Sequence, residues 1–101
     1  MKTIRLNDDS PETFLKKMKK ALGNGELGSI VNFDLDEEKL TIRFTGLGES
    51  KLWYSIRKSE DGFEAVKLGE RIAFTHFAFR SGIETELRGL MERFGGKISD
   101  E

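Results

Sequence analysis

The only histidine of this 101-residue chain lies in an aromatic segment, FTHFAF, at residues 74–79. Histidine is a common general acid or base, but it needs a nucleophile beside it or a carboxylate that orients it. The sequence neighbours Thr75 and Arg80 supply neither in a recognisable arrangement. We therefore expect no catalytic residues and no enzyme activity. His76 is predicted to be packed with a satisfied ring nitrogen, and ligand contact is the alternative.

Composition excludes several further chemistries. The chain has no cysteine, so disulfides and thiolate metal sites are ruled out, and one histidine leaves little basis for a zinc site. No metal and no cofactor are expected. The balance of 17 basic and 18 acidic residues argues against a nucleic-acid partner, because phosphate binding relies on positive fields. No apolar run reaches the length of a membrane span or signal peptide, which predicts no membrane insertion and a cytoplasmic protein.

A glycine pattern at residues 23–28, GNGELG, matches G-x-G-x-x-G letter for letter. A dinucleotide site needs a strand before these glycines and a helix after them, so that the phosphate meets a helix N-terminus. In this chain a predicted helix precedes the pattern and a predicted strand follows it. The segment is therefore expected to be a flexible helix-to-strand loop.

Hydrophobic spacing predicts one α+β domain over residues 1–96, followed by a frayed tail at 97–101. The first helix spans residues 11–22, with Ser10 as its cap and Gly23 as a left-handed end. The second begins at a capping box formed by Ser81 and Glu84 and ends at Gly95 and Gly96. Strands are predicted at residues 3–6, 29–35, 39–45, 51–58 and 63–68. The resulting order is β-α-β-β-β-β-α.

Short turns between the four later strands predict an antiparallel meander. The two amphipathic helices must bury their apolar stripes on one face of this sheet. Residues 71–80 fit two templates. On a helical template Ile72, His76 and Phe79 share a stripe, whereas on a strand template Phe74 and His76 share one face. Both alternatives surround the histidine with aromatic rings.

Two binding hypotheses follow from this arrangement. In the first, an apolar small molecule or polymer surface is held between the sheet and the C-terminal helix, and the candidate residues are Phe74, His76, Phe77 and Tyr54.

The second hypothesis concerns the opposite face of the sheet, where the strand register places Trp53 beside Arg43 and Arg57. A tryptophan flanked by arginines is typical of an interface hot spot, which predicts a homodimer or a heteromeric interaction module. The alternative is an aromatic side chain that shields the sheet across strands, with one of the arginines stacked on it.

The C-terminal stretch from Phe79 to Leu87, FRSGIETEL, resembles the closing stretch of the small polyhydroxyalkanoic acid system proteins. The matching positions are Phe79, Arg80, Ile83, Glu84, Glu86 and Leu87. Gly82 and the FTHFAF segment depart from that pattern. The resemblance implies a helix-grip-like α+β domain associated with polyester-granule metabolism, and it implies no catalytic residues.

Overall fold

The computed structural model describes residues 1–23 and 25–101. Asn24, in the glycine-rich loop, lies outside the described residues. Two 3₁₀ turns, Glu26–Ser29 and Phe74–His76, interrupt the loops. The helices and strands follow in the order β1 (Thr3–Leu6), α1 (Pro11–Leu22), β2 (Val31–Asp36), β3 (Lys39–Thr45), β4 (Glu49–Lys58), β5 (Phe63–Arg71), α2 (Arg80–Arg93) and β6 (Lys97–Ser99).

Helix α1 begins and ends at the predicted residues. The Ser10 hydroxyl oxygen accepts a hydrogen bond from the backbone N–H of Thr13 at 3.2 Å, and Pro11 occupies the first turn, where a missing N–H costs nothing. Gly23 closes the helix with φ −57°, so the predicted left-handed end is wrong. Its N–H instead continues the helical pattern by donating to the Lys19 carbonyl at 2.9 Å.

The sheet is antiparallel throughout, with the strand order β2-β3-β4-β5-β1-β6. The predicted α+β class and the meander of β2 to β5 are confirmed. Strand β1 pairs with β5 rather than with β2. The connection through α1 therefore crosses the sheet from β1 to the edge strand β2. Both helices pack on one sheet face, since their buried side chains join a single core: Ile4, Leu6, Phe14, Leu15, Met18, Leu22, Val31, Phe33, Leu40, Ile42, Phe44, Leu52, Tyr54, Ile56, Phe63, Ala65, Leu87 and Met91.

The C-terminal tail is not frayed, which corrects the predicted domain end at residue 96. Lys97–Ser99 forms β6 on the open edge of β1, with Ile98 opposite Ile4. The N-terminal ammonium group contacts the Asp100 carboxylate at 2.9 Å and holds the two chain ends together. An open strand edge has unpaired N–H and C=O groups, so even a three-residue segment beside it can pair with it as a strand.

Helix α2 starts one residue before the predicted cap. Phe79 occupies the N-cap position without a side-chain hydrogen bond, and Ser81 lies inside the first turn, so the capping box is wrong. The segment before it follows neither template as a whole. Strand β5 extends to Arg71, and Phe74–His76 forms a 3₁₀ turn that leads into the helix.

Candidate functional site

His76 is buried and uses both ring nitrogens. Its Nε2 lies 2.7 Å from the Gly46 carbonyl oxygen, and its Nδ1 lies 2.5 Å from the Ser50 hydroxyl. A carbonyl oxygen only accepts, so in the neutral ring Nε2 carries the hydrogen and Nδ1 accepts from Ser50. The Ser50 oxygen also accepts from the Ala73 N–H at 2.8 Å. The histidine therefore joins β4, the β3–β4 turn and the segment before α2.

Ser50 is a partner that sequence reasoning missed, because it lies 26 residues before His76. A serine bonded to a histidine whose second nitrogen is fixed by an acceptor has the connectivity of a nucleophile, a base and an orienting group. Ser50, however, has 0% of its surface exposed, and its oxygen already accepts a backbone hydrogen bond. A substrate cannot reach this hydroxyl in the folded chain. The absence of enzyme activity stays a prediction.

The turn between β3 and β4 packs closely against the segment that contains His76. Thr75 donates its hydroxyl hydrogen to the Leu47 carbonyl. Gly48 has φ +133°, and a Cβ there would lie 3.1 Å from Thr75 Oγ1 and 3.2 Å from the Ala73 Cβ. A side chain at position 48 would therefore be strained and crowded. The close approach fixes the backbone of residues 73–77 against the turn.

Large apolar side chains project from this fixed framework into solvent. The exposed fractions are 87% for Leu47, 89% for Phe74, 60% for Phe77 and 63% for Phe79. Phe74 and Phe77 form an edge-to-face pair with their centroids 6.4 Å apart. We call these four residues the aromatic end. Four exposed apolar side chains grouped on one turn and the adjoining segment are unusual for a protein surface.

The four predicted ligand contacts do not share a pocket. Phe74 and Phe77 face solvent, whereas Tyr54 is fully buried and donates its hydroxyl hydrogen to the Met1 carbonyl at 2.7 Å. Burial raises the pKa of Tyr54, and the nearby carboxylates of Glu84 and Glu70 raise it further. His76 has no free ring nitrogen for a ligand. Only the exposed phenylalanines of this set remain available for binding.

A network of charged residues connects strand β5 to the start of α2. Arg80 donates to both carboxylate oxygens of Glu70, at 2.5 and 2.6 Å, and its Nε contacts Glu84 at 3.3 Å. Lys67 adds a second cation to Glu70. The hydrogen bonds from Arg80, followed by those from Lys67, lower the pKa of Glu70 to about 2 although partial burial opposes them. The network attaches α2 to the bulged part of β5.

The depressed pKa of Glu70 predicts acid sensitivity. A carboxylate whose pKa is lowered by folding stabilises the protein above its unfolded pKa of about 4.3, and this contribution is lost as the pH falls toward 2. Glu70→Gln should lower the free energy of unfolding by about 1–2 kcal/mol at pH 7, after allowance for partial exposure. The difference between the two proteins should vanish near pH 2. Urea denaturation from pH 2 to pH 7 measures it.

Glu60→Gln, at an exposed position in the β4–β5 turn, is the matched control for loss of one carboxylate. A wild-type minus Glu70→Gln difference that is constant across this pH range would contradict the ion-pair explanation.

The predicted interface residues lie on the outer face, the sheet face opposite the helices. Trp53 is half-buried and pairs with Thr41 on one side and Gly69 on the other. Arg43 contacts the Asp34 carboxylate at 2.9 Å. Arg57 is exposed at the far end of β4. The register prediction for this face is therefore correct, while a partner or homodimer on it stays a prediction.

Comparisons with protein-family models, with curated proteins and with solved structures found no significant match. The resemblance at residues 79–87 therefore stays a prediction. Among the described residues, no group of three or more histidine, aspartate or glutamate side chains is placed to hold a metal ion. In the same part of the chain, neither helix has the length and apolar character needed to cross a membrane.

Proposed function

We propose that the protein is a binding module that attaches to an extended apolar surface, such as that of a polymer particle, through the aromatic end. The observation that carries this proposal is the grouping of Leu47, Phe74, Phe77 and Phe79 at 60–89% exposure. Folded proteins expose single apolar residues often, but a cluster of this kind usually marks a contact surface. Burial of this apolar area would stabilise the protein, but that requires a partner that removes the area from water.

The shape of the aromatic end favours a surface over an enclosed small molecule. Small-molecule sites are concave and bury most of the ligand. Here the apolar side chains project outward from a turn and from the 3₁₀ segment with the residues after it, whereas Tyr54 and His76 are buried. Projecting rings can enter a polymer or lipid-like phase that yields around them. The similarity of residues 79–87 to the polyhydroxyalkanoic acid system proteins points in the same direction.

The backbone beneath the aromatic end is already fixed before any partner binds. His76 and Thr75 each bond to carbonyls of the β3–β4 turn, and Ala73 bonds to Ser50. A preorganised contact loses less conformational entropy on binding than a mobile loop does. This rigidity supports a constitutive attachment surface rather than a segment that folds on contact.

The double variant Phe74→Ser/Phe77→Ser tests the proposal. Removing two phenylalanines from the contact should cost roughly 2–4 kcal/mol, which weakens binding by about 30-fold to several hundred-fold. The measurement is depletion of the protein from solution by suspended poly(3-hydroxybutyrate) particles. Both side chains are exposed, so the variant should keep the wild-type thermal midpoint.

Val66→Ser is the matched control, because Val66 is an exposed apolar residue of β5 on the outer face. It should bind the particles within about twofold of the wild type. Wild-type protein that stays in solution, or a double variant that is depleted as strongly as Val66→Ser, would refute attachment through the aromatic end.

A further inference from the structure

The outer face carries a surplus of positive charge that the whole-chain balance conceals. By strand register it holds four acidic residues and seven basic residues, in a chain whose formal net charge is −1. The acidic residues are Asp34, Asp36, Glu49 and Glu64. The basic residues are Arg5, Lys39, Arg43, Lys51, Arg57, Arg71 and Lys97. Negative charge is thus concentrated elsewhere on the molecule, and this face presents a positive field.

Trp53 forms a flat platform within this face. A Cβ added to Gly69 would lie 3.0 Å from each of the indole atoms Nε1, Cε2 and Cζ2. Equal distances to three consecutively bonded ring atoms place that Cβ above the ring plane, so the indole covers Gly69 face-on. One face of the ring therefore packs on the strand. Both helices pack on the opposite side of the sheet, so the other face of the half-buried ring points toward solvent.

Basic residues lie on both sides of this platform. On one side lies a row of cross-strand neighbours, two residues along the strands from Trp53 and its partners. This row contains Arg43, Lys51 and Arg71. On the other side, cross-strand pairing forms a second row across β4, β5, β1 and β6, in the order Arg57, Glu64, Arg5 and Lys97.

Some of these cations are already paired. Arg43 contacts Asp34 at 2.9 Å, Lys51 contacts Glu49 at 3.4 Å, and Arg5 is paired with Glu64. Within the part of the chain that the structure describes, no carboxylate lies within 4.0 Å of the cationic groups of Lys39, Arg57, Arg71 and Lys97. These four charges are available to a polyanion.

We propose that the outer face binds single-stranded nucleic acid, with an unpaired base stacked on Trp53 and backbone phosphates on the flanking basic residues. An open aromatic face within a positive surface suits an unstacked base and its phosphates, and stacking of this kind tolerates any base. A duplex keeps its bases stacked inside and cannot offer one to the indole. An acidic protein partner would use the charges but has no need of a free ring face. This activity goes beyond the proposed attachment to an apolar surface and uses different residues.

The single tryptophan makes the test direct, because all indole fluorescence comes from position 53. Titration with a 12-nucleotide oligothymidylate should quench this fluorescence. The logarithm of the association constant should fall with the logarithm of salt concentration at a slope of roughly −2 to −3, as expected for three or four phosphates bound to a single strand. A duplex of the same length should cause much weaker quenching.

Variants separate the base platform from the phosphate contacts, with binding followed by anisotropy of a labelled oligonucleotide. Trp53→Ala should weaken binding about 5- to 150-fold, as loss of one base stack does elsewhere. If that variant proves unstable, Arg71→Gln/Lys97→Gln replaces two exposed charges and should weaken binding and flatten the salt slope. Lys16→Gln/Lys20→Gln, on the exposed side of α1, is the charge-matched control and should bind as the wild type does.

Three results would overturn the proposal. The first is unchanged fluorescence at millimolar oligonucleotide and low salt. The second is equal weakening by the α1 control, which would indicate nonspecific attraction. The third is a dimer in sedimentation that protects Trp53 from a soluble quencher, since the outer face would then be occupied by a second copy of the chain.

Discussion

Replacement of His76 by alanine is expected to lower the free energy of unfolding by about 2–4 kcal/mol, one of the largest effects of any single substitution in this chain. The change removes a buried ring and leaves the Gly46 carbonyl and the Ser50 hydroxyl without their partner. A buried polar group that loses its hydrogen bond costs about 1–3 kcal/mol, and the cavity adds to this. For a domain of this size the thermal midpoint should fall by roughly 10–25 °C.

Two companion variants separate the origins of this loss. His76→Phe keeps the volume of the ring but removes both hydrogen bonds, so it isolates the polar contribution. Ser50→Ala removes the hydroxyl that bonds both His76 and the Ala73 N–H, and it should cost about 1–3 kcal/mol. Because Ser50 and His76 are in contact, the double variant should cost less than the sum of the two single variants, by about 0.5–3 kcal/mol.

Urea denaturation of the wild type, His76→Ala, Ser50→Ala and the double variant gives the complete double-mutant cycle. Thr85→Ala, on the exposed side of α2, controls for loss of a hydroxyl outside this network and should change stability much less than Ser50→Ala does. Strict additivity of Ser50→Ala and His76→Ala, with each costing less than about 1 kcal/mol, would show that the two side chains are not bonded in solution.

The role of His76 illustrates what the sequence could and could not predict. The sequence correctly identified a packed histidine, since no neighbour offered chemistry. It could not identify Ser50, because the contact is made by a turn and a strand that lie far away in the chain. Strand β4 begins at Glu49, two residues before the predicted start. With that start, alternation from the buried Leu52 would have placed Ser50 on the inner face beside the helices.

Local patterns predicted the elements well where one physical signal dominated. Strand β3 spans Lys39–Thr45 as predicted, because three buried apolar residues alternate with polar ones along its whole length. The tail failed for the opposite reason. Lys97–Ser99 is too short to show a period, and it becomes a strand only because β1 offers an open edge beside it.

Charge shows a similar limit at the level of function. A net charge of −1 argued against nucleic acid, but a sum over the whole chain contains no information about which face each residue occupies. The sheet register sorts the charges, and the outer face then differs in sign from the chain as a whole. The same register shows why Trp53 was correctly placed on that face, although its position over Gly69 required the structure.

Gly62→Ala is expected to have an effect as large as that of His76→Ala, although it adds only one methyl group. A Cβ at Gly62 would lie 1.9 Å from the Leu6 carbonyl oxygen and 2.8 Å from the Leu6 carbonyl carbon. The obstacle is backbone at the point where β1 ends beside β5, with Leu6 opposite Phe63. Strands β1 and β5 would have to separate there. We expect a loss of more than about 3 kcal/mol in the free energy of unfolding.

A turn position alone would suggest a different reason for a glycine. Gly62 ends the turn Ser59–Gly62, where glycine is common because it adopts a positive φ. The positive φ angles among the described glycines belong to Gly46, Gly48 and Gly95. Gly62 is therefore required for space rather than for backbone conformation, and only the tertiary contact with Leu6 reveals this.

Gly82→Ala provides a control of opposite sign. Gly82 lies in the first turn of α2 and is exposed, and beyond its chain neighbours and the backbone of its own helix no atom lies within 4 Å of the added Cβ. The same chemical change should stabilise the protein there by about 0.5–1 kcal/mol, since alanine restricts the unfolded chain and favours the helix. Thermal and urea denaturation of the two variants should move in opposite directions. If Gly62→Ala cost less than about 1 kcal/mol, β1 and β5 could not approach as closely as described, and the position of β1 between β5 and β6 would have to be revised.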